Sequence, residues 1–307
     1  MSLRRVIGGV VGTGAVGLYL FKRKSEISNN APLSISSDGV TTLTDTSKLI
    51  GNKPAIDPAG FFKYGFPGPI HDLQTHEGFI SCYDRRMRNP YWVVEHITAE
   101  SLAANNAARK KSFFKEDDKI PDMFKARLRD YFRSGYDRGH LVPAADAKYS
   151  QTAMDETFYL TNMCPQVGDG FNRDYWARLE QYCRRMANKY KSVRIVTGPL
   201  YLPKKCPDGK YRVTYEMIGN PPNIAVPTHF FKLLVAEGDS VYVSAFVLPN
   251  EPIPDSTKLS EFQVPVNALE RATGLQFLHK TSYKTLPVDE SVMNAIAIEQ
   301  MQYKKLA

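Results

Sequence analysis

Cysteine is scarce in this chain, and the little there is forms no pattern. Cys82, Cys164, Cys183 and Cys206 make no C-x-x-C pair and none of the spacings of a zinc ribbon or finger. A cysteine-built metal centre is therefore excluded. Small buried thiols are their ordinary role, with a disulfide as the alternative. No internal repeat or low-complexity tract occurs, which excludes solenoids and propellers. A hydrophobic run of full membrane-spanning length is also missing. The nearest approach is Val6–Phe21, sixteen uncharged residues, which as a helix would reach about 24 Å.

What is present is a chain of 307 residues with 43% apolar content, enough for a sizeable globular core. The net charge is +8, and it is local. Arg4, Arg5, Lys22, Arg23 and Lys24 bracket the uncharged N-terminal run, while residues 109–138 hold ten Lys/Arg against six Asp/Glu. No acid precedes Glu26, no small-x-small cleavage site follows the run, and "KRK" closes it. Residues 1–24 thus suit a retained membrane anchor or mitochondrial presequence better than a secretory signal. Residues 25–58 are polar, rich in Ser, Thr, Asn and Asp, and are expected to form a flexible linker. Residues 59–307 are expected to form one domain.

Within that domain β-branched and aromatic runs recur at 78–84, 90–97, 192–202, 211–219, 228–237 and 240–249, each bounded by turn residues. Helical patterns cover 99–110, 172–190, 265–274 and 289–305. Strands arrive in adjacent pairs with short connections, which predicts an α+β fold with antiparallel sheet and packed helices. Phe61, Phe62, Tyr64 and Phe66 are expected in the core or at a dimer contact. Arg85, Arg86, Arg88, the pair Arg184/Arg185 and the pair Lys204/Lys205 are expected on solvated faces.

The chemistry gathers around "DRGH", residues 137–140. Imidazole titrates near neutral pH, so His140 can serve as a proton acceptor. Asp137 can orient neighbours, Arg138 can meet a phosphate, and Gly139 permits close approach. Thirty-two residues on, Asn172 opens a helix whose Trp176, Leu179, Cys183 and Met186 form a core-facing stripe. Its ordinary role would be an N-cap. Glu180 lies eight residues later, about 80° around the helix and ~12 Å along it, so both residues would not touch one ion directly. An amide oxygen with a remote carboxylate suits a hard, well-hydrated cation, Mg²⁺ or Mn²⁺, and not Zn²⁺.

"DRGH" followed by "NRDYWARLE", with "DPAGFFKYGFPGPIHDL" and "RSGYDRGH", resembles the DNA/RNA non-specific endonuclease family, in its mitochondrial endonuclease G branch, over roughly residues 57–275. The resemblance implies a ββα-metal (His-Me finger) nuclease fold, in which a β-strand or hairpin carries the histidine and the next helix the metal-binding asparagine. It implies His140 as general base, Asn172 as direct Mg²⁺ ligand, Glu180 as a metal partner through water, and Asn162 as a second active-site asparagine. Arg109, in one of the registers that "ARKKSFFKEDD" offers, matches an arginine held to stabilise phosphate charge. The implied activity is Mg²⁺-dependent, sugar-non-specific cleavage of DNA and RNA, with Mn²⁺ able to substitute. A homodimer, N-terminal membrane association and a mitochondrial address at the inner membrane or intermembrane space are implied as well. Two other readings remain: a nucleic-acid-binding protein with reduced activity, and a phosphodiesterase acting on a small or lipid phosphodiester.

Overall fold

The computed structural model describes residues 58–65 and 72–306, so the N-terminal segment, most of the linker and Phe66 lie outside the described residues. Ten strands frame the architecture: β1 (Asp72–Thr75), β2 (Phe79–Asp84), β3 (Asn89–Ile97), β4 (Asp137–His140), β5 (Met163–Gln166), β6 (Ser192–Leu200), β7 (His229–Glu237), β8 (Val241–Pro249), β9 (Gln263–Val264) and β10 (Lys284–Thr285). Eight of them make the central sheet in the order β1-β2-β3-β6-β7-β8-β9, with β10 added to β8. Every pairing is antiparallel except that last one. The α+β expectation holds.

Side-chain alternation along these strands divides the core into two layers. Trp92, Val94, Val196, Leu233 and Val235 point to one face, where they pack with Phe61, Tyr64 and α2 (Val266–Thr273). Val93, Ile97, Val193, Ile195, Phe230 and Leu234 point to the other. That second face is covered by α1 (Ala177–Ala187) and α3 (Glu290–Leu306). The stripe Trp176, Leu179, Cys183 and Met186 is buried there, as its spacing predicted. Cys82, Cys164 and Cys183 are buried, and none of these three nor Cys206 forms a disulfide.

Two elements depart from the expected boundaries. The helix expected over 99–110 is capped by a reciprocal Thr98–Ser101 box but ends at Ala103. Beyond it the Asn106 and Ala107 amides turn to the Lys148 carbonyl, so tertiary partners replace the helical ladder. The run 211–219 is not a strand of the sheet. Only Tyr211–Arg212 and Met217–Ile218 pair, each with its own short partner, and the segment between stays exposed.

Candidate active site

A small hairpin stands apart from the central sheet. Strand β4 is the "DRGH" motif itself, and it pairs with β5 so that Asp137 faces Gln166 and His140 faces Met163. Gly139 is required by this closeness, because a Cβ there would sit 2.1 Å from the Gln166 Cδ and Oε1. The chain then enters a helical segment, Gly168–Trp176, that is broken at Asp169 and Gly170 and runs on into α1. Gly170 takes a left-handed φ of 79°, and its amide donates to Asp174 Oδ2 at 2.6 Å, fixing the helix start. Hairpin plus helix is the ββα unit.

His140 sits in an aromatic cage. Its ring lies 4.8 Å from Phe158, edge to face, and 5.6 Å from Phe114. The Arg109 guanidinium stacks 4.1 Å from the Phe158 centroid, and Arg138 stacks 4.3 Å from Phe114. Two cations are thereby held beside the imidazole by the same rings that wall it. His140 Nε2 is buried and has no hydrogen-bond partner. Burial, and secondarily the Arg109 charge, push its imidazole down to about 3, so it is neutral at pH 7.

Asn172 does not cap its helix. Its Nδ2 donates to Asp137 Oδ2 at 2.8 Å, and Arg173 grips the same carboxylate through Nε (2.9 Å) and Nη2 (2.6 Å). A carboxylate only accepts, so the amide NH₂ must face Asp137 and the amide oxygen must face away from it. Burial alone would raise the Asp137 carboxyl, but the Arg173 and Asn172 donors outweigh it and hold the group below its usual range. Asp137 is thus a clamp between strand and helix.

Asn162 is fully buried and committed to the backbone: its amide donates to the Val142 and Thr157 carbonyls and accepts from the Val142 amide. It braces the turn that leaves His140. Glu180, on the first turn of α1, is half-buried, and burial pushes its carboxyl up to about 7 against the opposing Lys232 and Arg184 charges. Arg184 is not on a solvated face; it pairs with Asp146 at 2.9 Å, because i+4 from Glu180 on a helix looks the same way, toward the sheet. Arg185 pairs with Glu299 and Lys204/Lys205 are exposed, as expected of surface charges.

These residues suit a hydrated hard cation. Among the described residues no cluster of three or more His, Cys, Asp or Glu could hold a metal ion. The available donors are one amide oxygen and one remote carboxylate, all oxygen and few in number, which fits Mg²⁺ with most of its water retained. Around Gly139 the buried polar atoms His140 Nε2, Gln166 Oε1 and Gln166 Nε2 lack protein partners. Sequence reasoning passed over Gln166, Arg173, Phe114 and Phe158. The first two flank the helix entry in "PQVGDGFNR", where a polar pair beside a glycine turn was the available signal.

An imidazole walled by two aromatic rings that each carry an arginine, on the strand before a helix that bears an asparagine, is an arrangement suited to phosphodiester hydrolysis. The chain belongs to the DNA/RNA non-specific endonuclease family, whose model matches residues 57–284. It is similar to the mitochondrial nuclease of Saccharomyces cerevisiae, at 62% identity over 91% of this chain and 87% of that one. It is also similar to the mitochondrial endonuclease G of Homo sapiens, at 43% identity over 70% and 72% of the two chains. A solved structure of the EndoG/EndoGI complex matches with a TM-score of 0.72 and 46% identity, covering 74% of this chain and 94% of that one.

Proposed function

We propose that this endonuclease hydrolyses DNA and RNA alike, with Mg²⁺, to leave 5′-phosphate and 3′-hydroxyl ends. The observation that carries this reading is His140, neutral and with an unpartnered Nε2, between two arginines pinned on its own aromatic cage. His140 takes a proton from a water aligned on the scissile phosphorus. Arg109 and Arg138 bind the non-bridging phosphate oxygens, and Asp137 and Arg173 keep the Asn172 amide oxygen turned toward the site. When bound through Asn172 and, by way of water, Glu180, Mg²⁺ or Mn²⁺ supplies positive charge against the phosphorane-like transition state and the leaving 3′ oxygen. Asn162 acts by bracing the loop after His140. The substrate contacts assigned to Arg109 and Arg138 are to phosphate, which carries no base information, in keeping with indifference to sugar and sequence.

A mitochondrial address accords with the basic, acid-free residues 1–24 and with the mitochondrial relatives. Inner-membrane association would follow from that segment; among the described residues no helix is long and apolar enough to cross a membrane. A homodimer is supported by Tyr211, Val213, Tyr215 and Met217, alternate residues of one extended segment that are all exposed. The test of function is digestion of plasmid DNA and of RNA by purified protein with Mg²⁺, with Mn²⁺ and with a chelator. Both polymers should be cut with metal and neither without. Cleavage of neither, or hydrolysis of only a small phosphodiester, would overturn the reading.

A further inference from the structure

The floor of the site contains a lysine that the chemistry above leaves unused. Lys232 stands in the middle of β7, in "HFFKLLVAE", at the parity of Phe230 and Leu234, and so on the face beneath α1. It is 1% exposed. The register sets it opposite Thr197 on β6 and Phe246 on β8. Its ammonium donates to Thr197 Oγ1 at 2.9 Å and lies 4.9 Å from the Trp176 ring centroid.

A leucine would fill this place without the cost of desolvating a charge, so packing alone gives no reason for a lysine. What the charge touches does give one. Trp176, directly over the ammonium, donates its indole N–H to the His140 carbonyl at 3.4 Å. Glu95 of β3 lies buried on this same face, opposite Ile195 of β6, while Glu180 lies on the helix that covers the face and Arg184 of that helix pairs with Asp146. One buried cation therefore reaches both halves of the site, the strand that ends in His140 and the helix that carries Asn172 and Glu180.

We propose that Lys232 is a positioning residue for phosphodiester hydrolysis, holding Trp176 from below so that the His140 strand and the helical segment that carries Asn172 and Trp176 keep a fixed relative placement. The proposal rests on the nuclease reading above. A purely structural lysine would matter only as the counter-charge of Glu95, and that alternative is separable.

The experiment compares Lys232→Met, Glu95→Gln and the double variant by thermal unfolding, by kcat and KM on DNA, and by Mn²⁺ affinity measured without nucleic acid. Lys232→Met should lower Tm and lower kcat on the order of 10- to 100-fold with KM little changed, the scale expected when a reacting group is displaced by about an ångström. Adding Glu95→Gln removes the unbalanced acid and should restore Tm, while kcat stays low and Mn²⁺ binding stays weakened. Return of kcat together with Tm would overturn the proposal. So would wild-type kcat in Lys232→Met alone. If Lys232→Met does not fold, the double variant and Thr197→Val, which removes only the hydroxyl that anchors the ammonium, carry the same comparison; Thr197→Val should fold and lose several-fold in kcat. If the wild type cuts no nucleic acid, the nuclease reading fails, and unchanged Mn²⁺ affinity in the double variant would then sink this proposal separately.

Discussion

The two faces of the central sheet are built from the same strands and differ in how their buried charges are partnered. On the face toward Phe61, Tyr64 and α2, strands β3, β6 and β7 present Trp92, Val94, Val196, Leu233 and Val235, and the buried Arg194 among them is paired with Glu237 at 3.0 Å and stacked on Tyr64. One residue along, toward α1, the same strands place Glu95, Thr197 and Lys232 among Val93, Ile195 and Leu234, all buried. Burying charge is costly unless it is paired, and here the pairing is incomplete: Glu95 Oε1 and Asp146 Oδ2 have no partner. One face holds the fold together. The other gives up part of that stability to hold a helix and a hairpin in working order.

The comparison breaks most sharply at Asn172. Asn172→Ala should reduce cleavage by about 10²- to 10³-fold, as loss of a transition-state charge stabiliser does, with Tm nearly unchanged. Leu233→Ala, on the face toward α2, should do the reverse: it should lose ~2–5 kcal/mol in denaturant unfolding while activity per folded molecule holds. Gly139→Ala falls between them. Its new methyl meets the Gln166 side chain, so about 1–3 kcal/mol should be lost, with activity falling as the hairpin shifts.

A pH series sharpens the contrast. His140 is pushed down to about 3 from 6.5, so the unfolded chain takes a proton that the folded chain refuses, and stability drains as pH falls from about 6.5 toward 3. Glu180 runs the other way. Its carboxyl is pushed up to about 7 from 4.5, so its contribution is present below about 4.5 and is lost as pH rises toward 7. Tm measured from pH 7 to pH 4 should fall less in His140→Gln than in wild type, and Leu233→Ala should shift the whole curve without changing its shape. The smallest effect belongs to Lys204→Ala on the exposed hairpin, within about ±0.5 kcal/mol.

Much of this division was legible in the sequence. Period-2 runs located β2, β3, β6, β7 and β8, and the stripe on α1 named its buried face before any contact was known. The hairpin was not legible that way. Strands β4 and β5 have four residues each, too short for alternation to show, so only the resemblance carried by "DRGH" and "NRDYWARLE" predicted them. Helix length over 99–110 failed because the Lys148 carbonyl, far along the chain, competes for the Asn106 and Ala107 amides. The pair Arg184/Arg185 reads in the sequence as a solvated charge pair; a helix sends adjacent residues about 100° apart, and only Arg184 reaches Asp146. Glu95 and Lys232 lay hidden in apolar runs. A charge at an inward-facing parity was the signal, and it becomes readable once the register says which parity is inward.

His140→Ala tests the central claim most directly, through single-turnover cleavage of supercoiled DNA with Mg²⁺ alongside DNA binding and thermal unfolding on the same preparations. The cage account predicts a loss of about 10²- to 10⁴-fold in cleavage with binding and Tm close to wild type. Retention of more than a few per cent of wild-type cleavage would contradict it.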